Sequence, residues 1–143
     1  MRPFVLSGRL RSAAVFVWVA SVWVAGCQSA QTPEAVAAHF VDAYYLEKDH
    51  TKALSYCDGL AAFRVKEEVK LLQEAQGSLP ASQPRAHSEK QKATMRPDDT
   101  EVIYLLTVET QGVRLRKNVR LVVKAVNGQN KVVQFSEHEL KDP

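Results

Sequence analysis

The sequence contains few cysteines and glycines and none of the common motifs that indicate a particular chemistry. Its 143 residues include 2 cysteines, Cys27 and Cys57, and 6 glycines. It has no glycine-rich phosphate-binding loop, no Gly-x-Ser-x-Gly elbow and no His-Glu-x-x-His helix. These absences argue against a P-loop nucleotide site, an α/β-hydrolase and a zinc protease. We therefore assign no catalytic residue.

Histidines are also few. The sequence has 4 of them, at His39, His50, His87 and His138. Because they lie far apart without ligand spacing, we predict no metal site and no cofactor. The groups available for acid–base chemistry are Asp42, His39, Tyr44 and Tyr104. Asp42 falls on the polar stripe of its predicted helix and the tyrosines fall on apolar faces, so an enzyme is the least favoured hypothesis.

The first 26 residues have the three parts of an export signal. Arg2, Arg9 and Arg11 precede an apolar run over residues 13–25, and small residues follow. A bilayer-spanning helix needs about 20 apolar residues, which is more than this run provides. We predict a signal peptide over residues 1–26. The leader has 3 basic residues and the chain has 19 basic and 16 acidic ones, which leaves a mature net charge near zero and no reason to expect nucleic acid as a partner.

The four residues Val24, Ala25, Gly26 and Cys27 resemble a bacterial lipobox. The resemblance implies cleavage before Cys27 and lipidation of its thiol, which anchors the protein to a membrane. Residues 27–32 then form a tether, in which the four residues 28–31 reach at most about 15 Å. Because Gln28 replaces the aspartate that often retains lipoproteins in the inner membrane of enteric bacteria, we expect the periplasmic side of the outer membrane; inner-membrane retention is the alternative.

With Cys27 lipidated, Cys57 has no intramolecular partner, and its apolar neighbours indicate a buried thiol.

Thr32-Pro33-Glu34 predicts the start of a helix that continues through residue 45, with apolar side chains on two faces. Residues 51–57 predict a short second helix and residues 60–75 a third. Residues 77–88, with two prolines, predict a loop.

The remaining chain alternates with the period of a β-strand. Strands are predicted at residues 89–95, 101–110, 114–126 and 131–140, with a tight hairpin at Asn127-Gly128. The predicted core positions are Val102, Tyr104, Leu106, Val108, Val119, Leu121, Val123, Ala125, Val133 and Phe135. The predicted fold class is α+β, with three N-terminal helices packed in the concave face of a curled four-stranded antiparallel sheet.

This order of elements resembles the nuclear transport factor 2-like superfamily, especially its small bacterial lipoproteins. The matching segments are residues 32–44 of the first helix, Asp49, and Ala53-Leu54 in the second helix. The resemblance implies one domain over residues 33–143 and a cone-shaped pocket, for which the candidate lining residues are Phe40, Tyr44, Tyr104 and Phe135. The short hairpin often found between the second and third helices is missing, which argues against a deep, closed pocket.

The third predicted strand, residues 114–126, contains several basic residues and no acidic residue. Arg116, Arg120 and Lys124 are predicted to project from the outer sheet face, either as a solvated surface or as a docking surface for an anionic surface or an envelope protein. A second copy of the chain could also dock through the sheet. Three functions follow: a non-catalytic envelope interaction or assembly module, a binder of small apolar ligands, and an isomerase- or dehydratase-like enzyme.

The lipobox interpretation predicts that Cys27→Ser abolishes anchoring, because serine has no thiol to accept the lipid. The variant should accumulate as an unprocessed or soluble species, measured by detergent partitioning and by the mass of the amino-terminal peptide. Cys57→Ser is the control and should be processed normally. Cleavage and detergent partitioning of Cys27→Ser would contradict the lipobox interpretation.

Overall fold

The structure is a computed structural model that describes residues 31–75 and 84–140. Within these residues it has three helices followed by a four-stranded antiparallel sheet, which confirms the α+β class and the N-terminal position of the helices. The predicted lipidation segment, Val24 to Cys27, lies outside the described residues. Part of the predicted loop, residues 76–83, also lies outside them.

Capping side chains define where each helix begins. The α1 helix spans Pro33–Val41, and the Thr32 hydroxyl accepts a hydrogen bond from the Ala35 N–H at 3.2 Å, as the Thr-Pro-Glu start predicts. The α2 helix spans His50–Tyr56 and begins after Asp49, whose carboxylate accepts from the Lys52 N–H at 2.9 Å. The α3 helix spans Gly59–Glu74.

A π-helical turn over Asp42–Leu46 continues α1, and the sequence analysis did not predict it. Its backbone hydrogen bonds reach five residues back, as in the bond from the Glu47 N–H to the Asp42 carbonyl at 2.8 Å. Lys48 then adopts a positive φ of 58°, which ends the helical path before α2.

The sheet is a meander of four strands in the order β1-β2-β3-β4. The strands are β1 Arg85–Met95, β2 Thr100–Thr110, β3 Val113–Val126 and β4 Gln129–Leu140. Two-residue hairpins join the last three strands. Asn127 and Gly128 have φ values of 50° and 78°, which confirms the predicted tight turn. The other hairpin, at Gln111 and Gly112, has the same signs of φ.

The first strand begins four residues earlier than predicted. Residues 85–88 pair with β2, from Arg85 opposite Glu109 to Ser88 opposite Leu106, so the predicted loop is wrong for these residues. The polar composition of this stretch concealed its strand character. Because β2 is long, it offers backbone partners to the whole of β1, whatever side chains β1 carries.

The helices cover one face of the sheet, and the core lies between them. Most of the predicted inward residues of β2 and β3 are buried, including Val102, Val119 and Leu121 at 0% exposure. Two predicted core positions are wrong. The β3–β4 register shifts between Val122, which pairs with Gln134, and Val123, which pairs with Val132. This bulge leaves Val133 without a partner and places Val132 in the core in its stead. Ala125 is exposed because it lies next to the hairpin, beyond the buried part of β3.

Cys57 lies buried and unpaired between α2 and α3, as the apolar neighbours predict. Its backbone forms an isolated parallel β-bridge with Val132 of β4. Burial raises the pKa of its thiol to about 11. A thiol with this pKa stays protonated near neutral pH and is a poor nucleophile. Cys57 is therefore part of the packing between the second helix and the sheet.

Phe40 is the largest fully buried side chain, and we predict that Phe40→Ala destabilises the fold by about 3–5 kcal/mol because it leaves a cavity. The measurement is urea unfolding of the purified protein. Phe63→Ala is the matched control: this phenylalanine is 64% exposed, so its removal should change stability little. Equal losses in the two variants would contradict the core assignment.

Candidate functional site

The π-helical turn places two consecutive tyrosines on the core side of the helix. Tyr44 and Tyr45 are both buried, and their rings lie 4.7 Å apart in an edge-on arrangement with an interplanar angle of 87°. Consecutive residues of an α-helix are turned about 100° apart, since 3.6 residues complete a turn. The wider π turn reduces this angle, so both phenol groups can enter the same polar cluster. π turns of this kind are frequent at functional sites.

Tyr45 donates its hydroxyl hydrogen to Glu137 of β4 at 2.8 Å. The same carboxylate accepts a hydrogen bond from Lys117 Nζ on β3 at 3.1 Å. Lys117 and Glu137 occupy inward register positions, next to Val119 and near Phe135, so the ion pair is formed at the edge of the core. A helix and two neighbouring strands are thus joined at one carboxylate.

Arg64 of α3 closes the cluster from the other side. Its guanidinium lies 4.6 Å above the Phe135 ring, and its Nη1 donates to the Phe135 carbonyl at 3.3 Å. Its Nη2 lies 4.0 Å from the nearer oxygen of Glu137. Stacking of this kind orients the guanidinium over an apolar surface while its charge faces the carboxylate.

Tyr44 forms the second half of the cluster with α3. Its hydroxyl donates to Glu68, and the other oxygen of Glu68 lies 3.5 Å from His50 Nε2. The His50 and Tyr44 rings meet edge-on with their centroids 5.6 Å apart. We call the whole set the tyrosine–carboxylate cluster; its members are Tyr44, Tyr45, His50, Arg64, Glu68, Lys117 and Glu137.

The protonation of this cluster favours a structural role. Burial, together with the neighbouring carboxylates, raises the pKa of Tyr44 and of Tyr45. Burial opposes ionisation of Glu137, but hydrogen bonds from Tyr45 and Lys117 outweigh it and lower the pKa of that carboxyl. Both phenols are satisfied hydrogen-bond donors, Tyr44 to Glu68 and Tyr45 to Glu137. The arrangement therefore clamps α3 and the π turn onto the sheet.

The predicted pocket residues lie in the core. Phe40 stacks on Tyr44 with centroids 5.4 Å apart, and Phe135 packs against both rings at 5.2 Å. Tyr104 is also buried, at 6% exposure. A groove of about 630 Å³ lies instead along Arg85 and residues 109–114, around the Gln111-Gly112 hairpin. None of the four predicted residues lines this groove.

The predicted basic surface has acidic partners on neighbouring strands. Arg120 is exposed on the outer face, where its Nε donates to Glu101 of β2 at 2.6 Å, and Arg96 Nη2 reaches the same carboxylate at 3.0 Å. Both contacts lower the pKa of Glu101. Lys124 is exposed on the same face, and Arg116 is half-buried. The sequence lacks acids within this run, but the sheet supplies them across strands.

The sequence analysis missed most of the tyrosine–carboxylate cluster, although it contained a signal for part of it. Alternation that places Val119 and Phe135 inward also places Lys117 and Glu137 inward, two strand positions away. Opposite charges at inward positions of neighbouring strands indicate a buried ion pair. The contributions of Arg64 and Glu68 had no such signal, because their side chains lie on the polar part of the α3 pattern.

Residues 31–75 and 84–140 also lack two other kinds of feature. In this part of the chain no three His, Cys, Asp or Glu side chains are placed to hold a metal ion, and no helix has the length and hydropathy to cross a membrane. Comparison of the chain with protein-family models, with curated proteins and with solved structures found no match in any of the three. The family resemblance therefore stays a prediction.

The cluster predicts a specific pH dependence of stability. Because the pKa of Glu137 is lower in the folded than in the unfolded protein, its stabilisation is present above about pH 4.3 and is lost as the pH falls through the folded pKa. Glu137→Gln should cost about 1–3 kcal/mol at neutral pH. It should also flatten the acid side of the pH–stability curve, measured by denaturant unfolding from pH 7 to pH 3.

Glu74→Gln is the control, since Glu74 is exposed at the end of α3. This variant should keep the wild-type pH dependence. If Glu137→Gln unfolds with the same midpoint and the same acid sensitivity as the control, the cluster does not clamp the fold.

Proposed function

We propose that the mature protein is a bacterial lipoprotein anchored through Cys27 at the periplasmic side of the outer membrane, whose domain is a non-catalytic envelope interaction or assembly module. The basic start, apolar run and lipobox-like end of the first 27 residues support the anchor. Lipid chains contribute about 0.8 kcal/mol per buried methylene, so two or three chains hold a protein firmly.

The packing of the predicted pocket is the observation that carries this proposal. Phe40, Tyr44 and Phe135 fill the space between α1 and β4 with their own rings, at exposures of 0%, 6% and 4%. A small apolar ligand would have to separate these three rings before it could enter. A filled interior favours a protein that works through its surface.

The surface that we assign to a partner is the outer face of α3. Leu60, Phe63 and Leu71 are 69%, 64% and 63% exposed, and their spacing places them on one side of the helix. We call these three residues the α3 stripe. Exposed large apolar side chains in a row are typical of protein interaction sites. The outer sheet face is a weaker candidate because Arg120 and Arg96 are already paired with Glu101.

The finer details of the fold belong to the same proposal. We infer that the sheet curls around the helices, as the resemblance to the nuclear transport factor 2-like superfamily implies. The bulge in the β3–β4 pairing and the one between Lys90 and Lys92 support this, because bulges increase local twist and bend a strand. Small-ligand binding in the cone and isomerase-like activity remain the alternative hypotheses.

The proposal predicts that a Phe63→Ser, Leu71→Ser double variant loses a protein partner. The tagged lipoprotein would be crosslinked in intact cells, extracted in detergent and analysed by mass spectrometry for bound proteins and small molecules. A partner recovered with wild type should be depleted in the double variant. Met95→Ser is the control, because Met95 is 75% exposed at the end of β1, the sheet edge opposite β4 on which α3 packs, and should not affect the partner.

The same experiment separates the alternatives. A stoichiometric small molecule in place of a protein partner would support ligand binding and contradict the interaction module. Equal recovery of the partner with the double variant would exclude the α3 stripe as its binding site. The amino-terminal peptide mass, measured in the same samples, tests whether Cys27 carries lipid.

A further inference from the structure

The point where the chain enters the domain lies at one end of the sheet. The Asn130 side-chain amide donates to the Gln31 carbonyl at 2.7 Å, so the start of the described chain is held beside the Asn127-Gly128 hairpin. Asn130 is directly opposite Ala125 in the β3–β4 pairing. We call this part of the molecule, comprising Gln31 and residues 124–131, the hairpin end.

The distance from the hairpin end to the predicted anchor is short. Gln31 lies four residues after Cys27, a span of at most about 15 Å. The opposite end of the sheet is much farther away, since the 14 residues of β3 extend for about 45 Å. Of the two hairpins at the ends of β3, only Asn127-Gly128 is fixed next to the tether.

The hairpin end has an arrangement of charge that its own fold does not explain. Lys124 and Lys131 are directly opposite each other in the β3–β4 pairing. Like charges in cross-strand positions are destabilising. Lys131 donates to the Ser55 carbonyl at 2.6 Å, and this neutral acceptor does not balance the charge of the lysine. Lys124 is exposed and has no ion pair with any residue that the structure describes.

Acidic residues also lie near the hairpin end. Asp58, just before α3, donates its backbone N–H to the Val132 carbonyl at 2.9 Å. The β1–β2 turn at the same end of the sheet carries Asp98 and Asp99, with Arg96 lying 3.9 Å from Asp99. On the β4 side, where the chain enters the domain, the two lysines Lys124 and Lys131 outnumber the single acid Asp58.

We propose that the hairpin end lies on the surface of the membrane that carries the lipid anchor, with Lys124 and Lys131 facing anionic lipid headgroups. The inference rests on the proposed lipidation of Cys27. The short tether holds the hairpin end near the bilayer, where negative headgroups attract Lys124 and Lys131. The α3 helix begins beside Val133 and runs along β4 toward Glu137, so Leu60 of the α3 stripe lies beside the hairpin end and Phe63 and Leu71 lie progressively farther from it.

The test uses tryptophan fluorescence in the lipidated protein. The sequence has 2 tryptophans, Trp18 and Trp23, and both precede the predicted cleavage site. Val126→Trp and Val113→Trp place a single tryptophan at the last or the first residue of β3. Each variant is reconstituted into vesicles of phosphatidylcholine and phosphatidylglycerol that contain a headgroup-labelled nitroxide lipid.

Nitroxide should quench Val126→Trp strongly and leave Val113→Trp at its intensity in unlabelled vesicles. Equal quenching of the two would overturn the proposal, as would stronger quenching of Val113→Trp. Adding Lys124→Gln and Lys131→Gln to Val126→Trp should reduce its quenching in vesicles with phosphatidylglycerol and leave it unchanged in pure phosphatidylcholine. Unchanged quenching in both vesicle types would contradict the contact between these two lysines and anionic headgroups.

Footprinting of the wild-type protein provides a measurement that needs no substitution. Acetylation of Lys124 by a water-soluble reagent should slow by roughly threefold or more on phosphatidylglycerol vesicles relative to detergent micelles, because the surface shields it. Lys70, exposed on α3, is the control and should react equally in both. Equal rates for Lys124 would contradict the proposal.

Flotation separates failure of this inference from failure of the proposed function. Protein that does not float with the vesicles and lacks lipid on its amino-terminal peptide contradicts the anchor, and the membrane-facing hairpin end with it. Lipidated protein that floats but gives equal quenching at both ends of β3 contradicts only the orientation.

Discussion

The packing of Phe40 against Phe135 is the contact on which the other features depend. Phe40 lies in the last turn of α1 with no exposed surface, and its ring centroid is 5.2 Å from that of Phe135 on β4. This contact fixes the rotation of α1 over the sheet. It therefore also positions the π turn that follows α1. The π turn carries Tyr44 and Tyr45 and places Tyr45 against Glu137 of β4, which Lys117 of β3 also contacts.

The tyrosine–carboxylate cluster then joins the elements that the aromatic contact brings together. Glu137 is shared by Tyr45 from the π turn and Lys117 from β3, while Glu68 of α3 receives the Tyr44 hydroxyl. Removal of one partner from such a partly buried network leaves the others unsatisfied, which costs more than an ordinary hydrogen bond contributes. Hydrophobic packing positions the helices, and the polar cluster makes that position specific.

Charge is arranged differently on the rest of the surface. Across the outer sheet face, arginines meet glutamates on neighbouring strands, as Arg120 and Arg114 do with Glu101 and Glu109. At the hairpin end, Lys124 and Lys131 are opposite each other in the β3–β4 pairing, and neither forms an ion pair with a residue that the structure describes. A paired surface has little long-range field, whereas an unpaired one attracts an anionic partner and does so less strongly as salt rises. Because α3 and β4 run away from Gln31, Phe63 and Leu71 of the α3 stripe lie farther along the sheet than this charged end.

Local patterns in the sequence were sufficient for the elements and their order. Thr32-Pro33-Glu34 determined the start of α1, Asn127-Gly128 determined the last hairpin, and alternation identified Val102, Val119 and Leu121 as core, because capping, turn geometry and strand period depend on neighbouring residues alone. The lipobox-like segment likewise concerns a recognition event on the extended chain. Lipidation and location remain predictions that follow from it.

Tertiary structure decided which side chains meet. The exchange of Val132 for Val133 in the core came from a bulge in the β3–β4 pairing, and the acidic partners of the basic run came from other strands. Tyr45 and Glu137 are 92 residues apart in the sequence, and their contact depends on a π turn that no local pattern predicted. Pairing of distant residues is set by the packing of whole elements, and one-residue changes in register redirect every side chain that follows.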